Sequence, residues 1–115
     1  MNKVTIEVAD RAASDARFLE AMRGGDRQGA FITFPTVQAL WEALTVKRWE
    51  IVQALCGAGP LTLREVARRV NRDVKGVHTD VHALLSTGVL DKADDGRIVF
   101  PYDAVHVDFE MRAAA

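Results

Sequence analysis

The stretch VHTDVHALL, residues 77–85, carries His78 and His82 four positions apart with Asp80 between them. On a helix, residues four apart lie one turn apart on the same face, which is how a helix presents two zinc ligands. A zinc hydrolase with this spacing also needs a glutamate directly after the first histidine as general base. Thr79 stands there instead. Asp80 is two residues from each histidine, and at about 100° per residue it projects away from both. A third ligand would have to come from His106 or Asp108, far along the chain. The spacing therefore predicts no metal site, and places both histidines on an exposed helix face.

The second group with chemical potential is basic. Arg64, Arg68, Arg69, Arg72 and Lys75 fall in one twelve-residue window against only Glu65 and Asp73. The whole chain balances 15 basic against 16 acidic residues, but residues 45–88 hold seven basic and four acidic side chains while both flanks are net acidic. A local cationic excess of this kind suits a phosphate-facing surface; a solvated helix face is the alternative. Asp80 is placed to pair with Arg64 or Arg68, or to lie in solvent.

These groups need elements to hold them. Thr45 caps an expected helix whose stripe is Val46, Trp49, Val52, Leu55 and Cys56, and GAGP, residues 57–60, ends it. In LTLREVARRV, residues 61–70, Thr62 and Glu65 have the spacing of a capping box, with Leu61 and Val66 as its hydrophobic staple. Leu63, Val66, Ala67 and Val70 are the expected inward set. NRD, residues 71–73, reads as a turn in which Asn71 tolerates a left-handed backbone and Asp73 caps the next helix. That helix points Val74, Val77, Val81, Leu84 and Leu85 inward and closes at Gly88. VLDKADDGRIVF, residues 89–100, reads as a hairpin around Asp95-Gly96.

Helix, helix, tight turn, helix and hairpin is the order of a winged helix-turn-helix, here over residues 45–101. In that arrangement the exposed face of the third helix enters the DNA major groove, while basic side chains and helix N-termini hold phosphates. The expected DNA-binding set is Thr62, Arg64, Arg68, Arg69, Arg72, Lys75, Gly76, His78, Thr79 and His82. Arg97, placed on the second hairpin strand, would reach the minor groove. Gly76 costs about 1 kcal/mol relative to alanine in a helix, and its missing side chain is either a space for DNA or a tolerated weakness.

Around this core, KVTIEVAD, residues 3–10, alternates as a half-buried strand, followed by an expected helix from Asp10 to about Arg23 with Ala12, Ala16, Leu19 and Met22 inward. AFITFP, residues 30–35, reads as a second strand, and residues 36–44 as a helix capped by Thr36. AVHVDFEMR, residues 104–112, alternates again and reads as a strand joining the first two, within one chain or across a dimer. The expected fold is therefore α+β: a winged helix-turn-helix with a strand-helix-strand-helix extension over residues 1–44 and a C-terminal strand and tail over 102–115.

Residues 45–111 resemble the MarR-like winged-helix regulators. They look like a set of small predicted DNA-binding proteins of bacteria and haloarchaea that shares the motifs R-D-V-x-x-V-H-x-D-V-x-x-L and I-x-F-P-Y-D-x-I/V-x-V-D, matched here from Arg72 and from Ile98. Some members of that set are TumA-type antitoxins encoded beside a small toxin gene. The resemblance implies a transcriptional repressor that doubles as an antitoxin, or an antitoxin module that neutralises its toxin with little DNA role.

Other classes are disfavoured. No serine, cysteine or lysine has a context that activates a nucleophile, and GAGP and RGGD lack the strand, lysine and spacing of a nucleotide loop, so a non-enzyme without cofactors is expected. Cys56 is the only cysteine, which leaves no intrachain disulfide and points to a buried thiol. No leader pattern or membrane-length apolar run is visible, and a cytoplasmic protein is expected. Its expected partners are double-stranded operator DNA, a second copy of itself, since one module reads only a short half-site, and a toxin. Trp41, with Leu40 and Leu44, is expected in the core more than at an interface. The acidic C-terminal segment reads as solvated loops or as a site for a basic partner.

Overall fold

The computed structural model describes residues 2–9, 29–111 and 113. Strand β1, Lys3–Val8, lies at the centre of a three-stranded sheet between β2, Ala30–Phe34, and β5, Ala104–Asp108. Both pairings are parallel, with Val4 and Ile6 in register with Ala30 and Ile32 on one side and with Val105 and Val107 on the other. Side chains in register share a face, so these residues build one apolar face from three strands. Val4 and Ile6 are fully buried there. A parallel pair cannot be closed by a tight turn; the helix expected between Asp10 and Arg23 lies outside the described residues. The C-terminal strand thus joins the sheet within one chain.

Helix α1, Val37–Ala43, begins at Thr36, whose Oγ accepts from the Ala39 N–H at 3.0 Å. Helix α2, Val46–Leu55, begins at Thr45 in the same way, with Arg48 N–H as donor. Helix α3, Leu63–Val70, carries the full capping box: Thr62 Oγ accepts from the Glu65 N–H, and the Glu65 carboxylate accepts from the Thr62 N–H. Asn71 then takes the left-handed conformation at φ 56°, and its N–H returns to the carbonyls of Ala67 and Arg68. Helix α4, Val74–Ser86, starts at Asp73, whose carboxylate accepts from the Gly76 N–H at 3.1 Å. Gly88 follows its end at φ +82°.

The stripes pack as one core in which Ile51, Val52 and Leu55 of α2 meet Val66 and Ala67 of α3 and Val77, Val81 and Leu84 of α4. Leu61 and Val66, the two staple residues, are both buried in it. Two expected inward positions are corrected: Val46 is 76% and Val74 is 42% exposed. Each is the first residue of its helix, where the stripe has not yet turned under the neighbouring helices. Trp41 is also corrected, being 58% exposed rather than in the core.

After α4 the chain makes a hairpin of β3, Asp91–Lys92, and β4, Ile98–Val99. Its loop is one residue longer than an Asp-Gly two-residue turn. Gly96 N–H donates to the Ala93 carbonyl, Ala93 N–H to the Arg97 carbonyl, and Gly96 takes the left-handed conformation, the pattern of a turn closed by a glycine bulge. Leu61 exchanges two backbone hydrogen bonds with Ile98, at 2.8 and 2.7 Å, so the segment before α3 lies beside β4.

The Pro-Tyr-Asp stretch, residues 101–103, is a joint. Asp103 N–H donates to the Asn2 carbonyl, Asn2 N–H returns to the Asp103 carboxylate, and the Asn2 amide reaches the Pro101 carbonyl. The Tyr102 carbonyl accepts from Gly57 N–H and from the Cys56 thiol, which is half-buried. This short segment ties the start of the sheet to the end of α2. Among the described residues no helix is long and apolar enough to cross a membrane.

A left-handed backbone costs an L-residue with a Cβ about 1–2 kcal/mol, and asparagine less. Asn71→Ala is therefore expected to lower unfolding free energy by about 1 kcal/mol in urea titration, with Asn71→Gly near neutral.

Candidate nucleic-acid interface

Residues 62–82 supply ten of the eleven side chains singled out by sequence, and the fold sorts them into an exposed group and a structural group. Arg64, Arg68 and Arg69 on α3, and Lys75, His78, Thr79 and His82 on α4, are exposed. Among the described residues the four cations of this group make no ion pair. The rings of His78 and His82 lie 4.2 Å apart, centroid to centroid, on one turn. They line a groove of about 170 Å³ with Lys92 and Gly96 of the hairpin. Lys92, which sequence reasoning did not single out, thus stands beside the exposed face of α4. The Thr79 hydroxyl donates back to the Lys75 carbonyl at 3.3 Å. Among the described residues no three metal-ligating side chains come together.

The structural group centres on Asp80. One carboxylate oxygen accepts from Arg48 Nε at 3.0 Å and the other meets Arg72 Nη2 at 2.9 Å. All three side chains are largely buried, with exposures of 23% for Arg48, 19% for Arg72 and 15% for Asp80. The expected pairing with Arg64 or Arg68 is therefore incorrect. Those arginines point to solvent, and Arg48 of α2 was missed because 32 positions separate it from Asp80. The only sequence signal was that Asp80 had to face away from the histidines. Burial pushes the Asp80 carboxyl up, but the hydrogen bonds and charges of Arg48 and Arg72 outweigh it and hold the group below its ordinary value of 3.8.

Arg72 is consequently an internal brace, not a side chain free to meet phosphate, and its Nη1 is buried without an acceptor among the described residues. The guanidinium also explains Gly76. A Cβ there would stand 3.2 Å from Arg72 Nη2 and 3.2 Å from the Asp73 carboxylate. The missing side chain makes room for the brace.

Two other positions are engaged. The Thr62 hydroxyl is committed to the capping box and to the Glu65 carboxylate at 3.0 Å. Arg97 sits just before β4, not on it, and its guanidinium is held by Asp95 at 2.7 Å and by the Pro60 carbonyl. The Arg97 N–H, followed by its guanidinium, holds the Asp95 carboxyl below its ordinary value. The hydrogen bonds from Thr62 do the same for Glu65.

A family model described as HVO_A0114 matches residues 43–107, more than half of the chain. The chain belongs to the HVO_A0114 family. The matched segment runs from the end of α1 through the three helices and the hairpin into β5, and leaves out β1 and β2. No curated protein and no solved structure matches the chain.

The lowered Asp80 value has a sign for stability. The folded chain binds fewer protons than the unfolded one in acid, so the contribution is complete above the unfolded value of about 3.9 and is lost as pH falls through the lower folded value. Asp80→Asn is expected to cost about 2 kcal/mol at neutral pH, less than a fully buried pair because all three groups keep some solvent. It should also flatten the acid limb of the stability curve measured by denaturant titration from pH 7 to pH 2. Gly76→Ala, which on helix propensity alone would gain about 1 kcal/mol, is expected to gain nothing in the native background. Part of the gain should return with Arg72→Ala, the Asp73 contact remaining, a coupling that a double-mutant cycle measures.

Proposed function

We propose that residues 45–101 form a winged helix-turn-helix that binds double-stranded DNA, and that the protein is a dimeric transcriptional regulator acting as a repressor. The observation that carries this reading is the set of cations Arg64, Arg68, Arg69 and Lys75, without an ion pair among the described residues, on the same two helices as the outward-facing His78, Thr79 and His82. A cation without a protein partner remains available to a phosphate, and neutralising phosphates supplies most of non-specific DNA affinity.

Three further features support it. α3 and α4 are joined by a three-residue turn, as in a helix-turn-helix. α4 makes about three and a half turns with one face in the core and the other clear, which suits a helix lying in the major groove. The hairpin, with Leu61 paired alongside β4, has the form of a wing.

On this reading Arg64, Arg68 and Arg69 hold the backbone, Lys75 joins them from the start of α4, and His78, Thr79 and His82 face the base edges. Lys92 adds a contact from the wing. None of the base-facing residues is an arginine, asparagine or glutamine able to make a bidentate base contact, so sequence discrimination is modest per half-site and rises with dimerisation. An antitoxin role rests on the family resemblance alone and is checked by co-purification with the product of a neighbouring gene.

The test is binding to duplex DNA from upstream of its own gene across a salt series. Replacing Arg64, Arg68 and Lys75 together by alanine is expected to lower affinity by roughly 10–100-fold and to reduce the slope of log K against log salt by about three. Unchanged affinity and slope in the triple variant would remove this surface from the interface.

A further inference from the structure

Among the described residues the sheet leaves β5 with an open edge. β5 pairs with β1 continuously from Ala104 to Asp108, and among the described residues no strand pairs with its outer side. An exposed edge is usually blunted by charged side chains, proline or a bulge, and β5, with sequence AVHVD, has only Asp108 at its end. The last three residues of the strand are exposed.

Beside this edge lies an apolar groove of about 490 Å³ lined by Leu40, Trp41, Leu44, Val46, Trp49 and Val107. Phe109, just past β5, packs edge-to-face on Trp41 at 5.8 Å between centroids and extends the patch. Trp41, Val46, Val107 and Phe109 are 58%, 76%, 40% and 37% exposed. β2, the opposite edge, carries no exposed large hydrophobic residue. Among the described residues one edge of the sheet is therefore both unpaired and flanked by apolar surface.

We propose that this edge and groove form the interface of a homodimer, in which β5 of one copy pairs antiparallel with β5 of a second to make a six-stranded sheet. Two copies of one strand related by a two-fold axis can pair only antiparallel. Pairing residues 104–108 about His106 keeps Val105 and Val107 on the apolar face of both copies and sets Asp108 opposite Ala104, so that no two acids oppose each other. The patch offers on the order of 400 Å² of apolar surface per chain. Doubled across the two-fold, and with the paired strands and the polar rim added, it reaches the roughly 1,000 Å² at which a specific interface becomes stable. The proposal supplies the surface for the dimeric DNA-binding reading, while its geometry stands apart from DNA.

Analytical ultracentrifugation of the full chain across the micromolar range tests it. The native chain is expected to shift from 12.7 kDa to twice that mass, and Val46→Glu to remain at the single mass. Val46 is the first residue of α2 and largely exposed, where an acidic side chain favours the helix, so the variant keeps its fold. A second readout needs no variant. The only two tryptophans, Trp41 and Trp49, both line the groove, and their emission should shift to the red as the native dimer is diluted. A native chain that stays monomeric throughout overturns the proposal, as does a dimer indifferent to Val46→Glu with constant emission. A monomer that still binds DNA with the expected salt slope would sink the interface and spare the DNA reading; a dimer that ignores DNA would do the reverse.

Discussion

The Asp80 carboxylate, held between the guanidinium groups of Arg48 and Arg72, is the interaction on which the placement of α4 depends. Apolar packing among α2, α3 and α4 brings the helices together, but it is non-directional and tolerates rotation of a helix about its axis. A carboxylate with each oxygen committed to a different guanidinium does not. Arg48 comes from α2 and Arg72 from the turn between α3 and α4, so one side chain references α4 to both of its neighbours. The direction in which His78, Thr79 and His82 point follows from it.

That brace also divides the positive charge of the chain. Residues 45–88 hold seven basic side chains; two of them, Arg48 and Arg72, are engaged internally by the one Asp80 carboxylate, and Gly76 is kept small so that one of these can pass. The cations left unpaired on α3 and at the start of α4 are those that define a surface. Charge counting along the sequence cannot make this division, because a buried arginine and a solvated one are the same letter.

Local chemistry was legible and tertiary choice was not. The capping box at Thr62, the left-handed Asn71, the cap at Asp73 and the glycine after α4 each depend on residues within a few positions, and all were readable from spacing. The winged helix-turn-helix order drawn from them remains part of the proposal. The alternation of residues 3–8 and 104–108 told which side chains share a face, but not that all three strands run parallel with β1 in the middle, since alternation carries no information about neighbours. Asp80 was given the wrong partners because Arg72, only eight positions away, was assigned to phosphate instead, and Arg48 lies 32 positions away. Trp41 was misplaced for a related reason: helical periodicity marks an apolar stripe, and it does not say whether the stripe meets the core or a groove open to solvent. The Pro-Tyr-Asp stretch, conspicuous as a motif, turned out to join the sheet to α2.

The central claim is that the face fixed by Asp80 meets DNA. The most direct measurement is an amide chemical-shift map of isotope-labelled protein titrated with duplex DNA from upstream of its own gene at low salt. The account predicts that the largest shifts fall in residues 64–82 and around Lys92, with β1 and β2 unmoved. Shifts confined to the sheet and α1, or none at all, would contradict it.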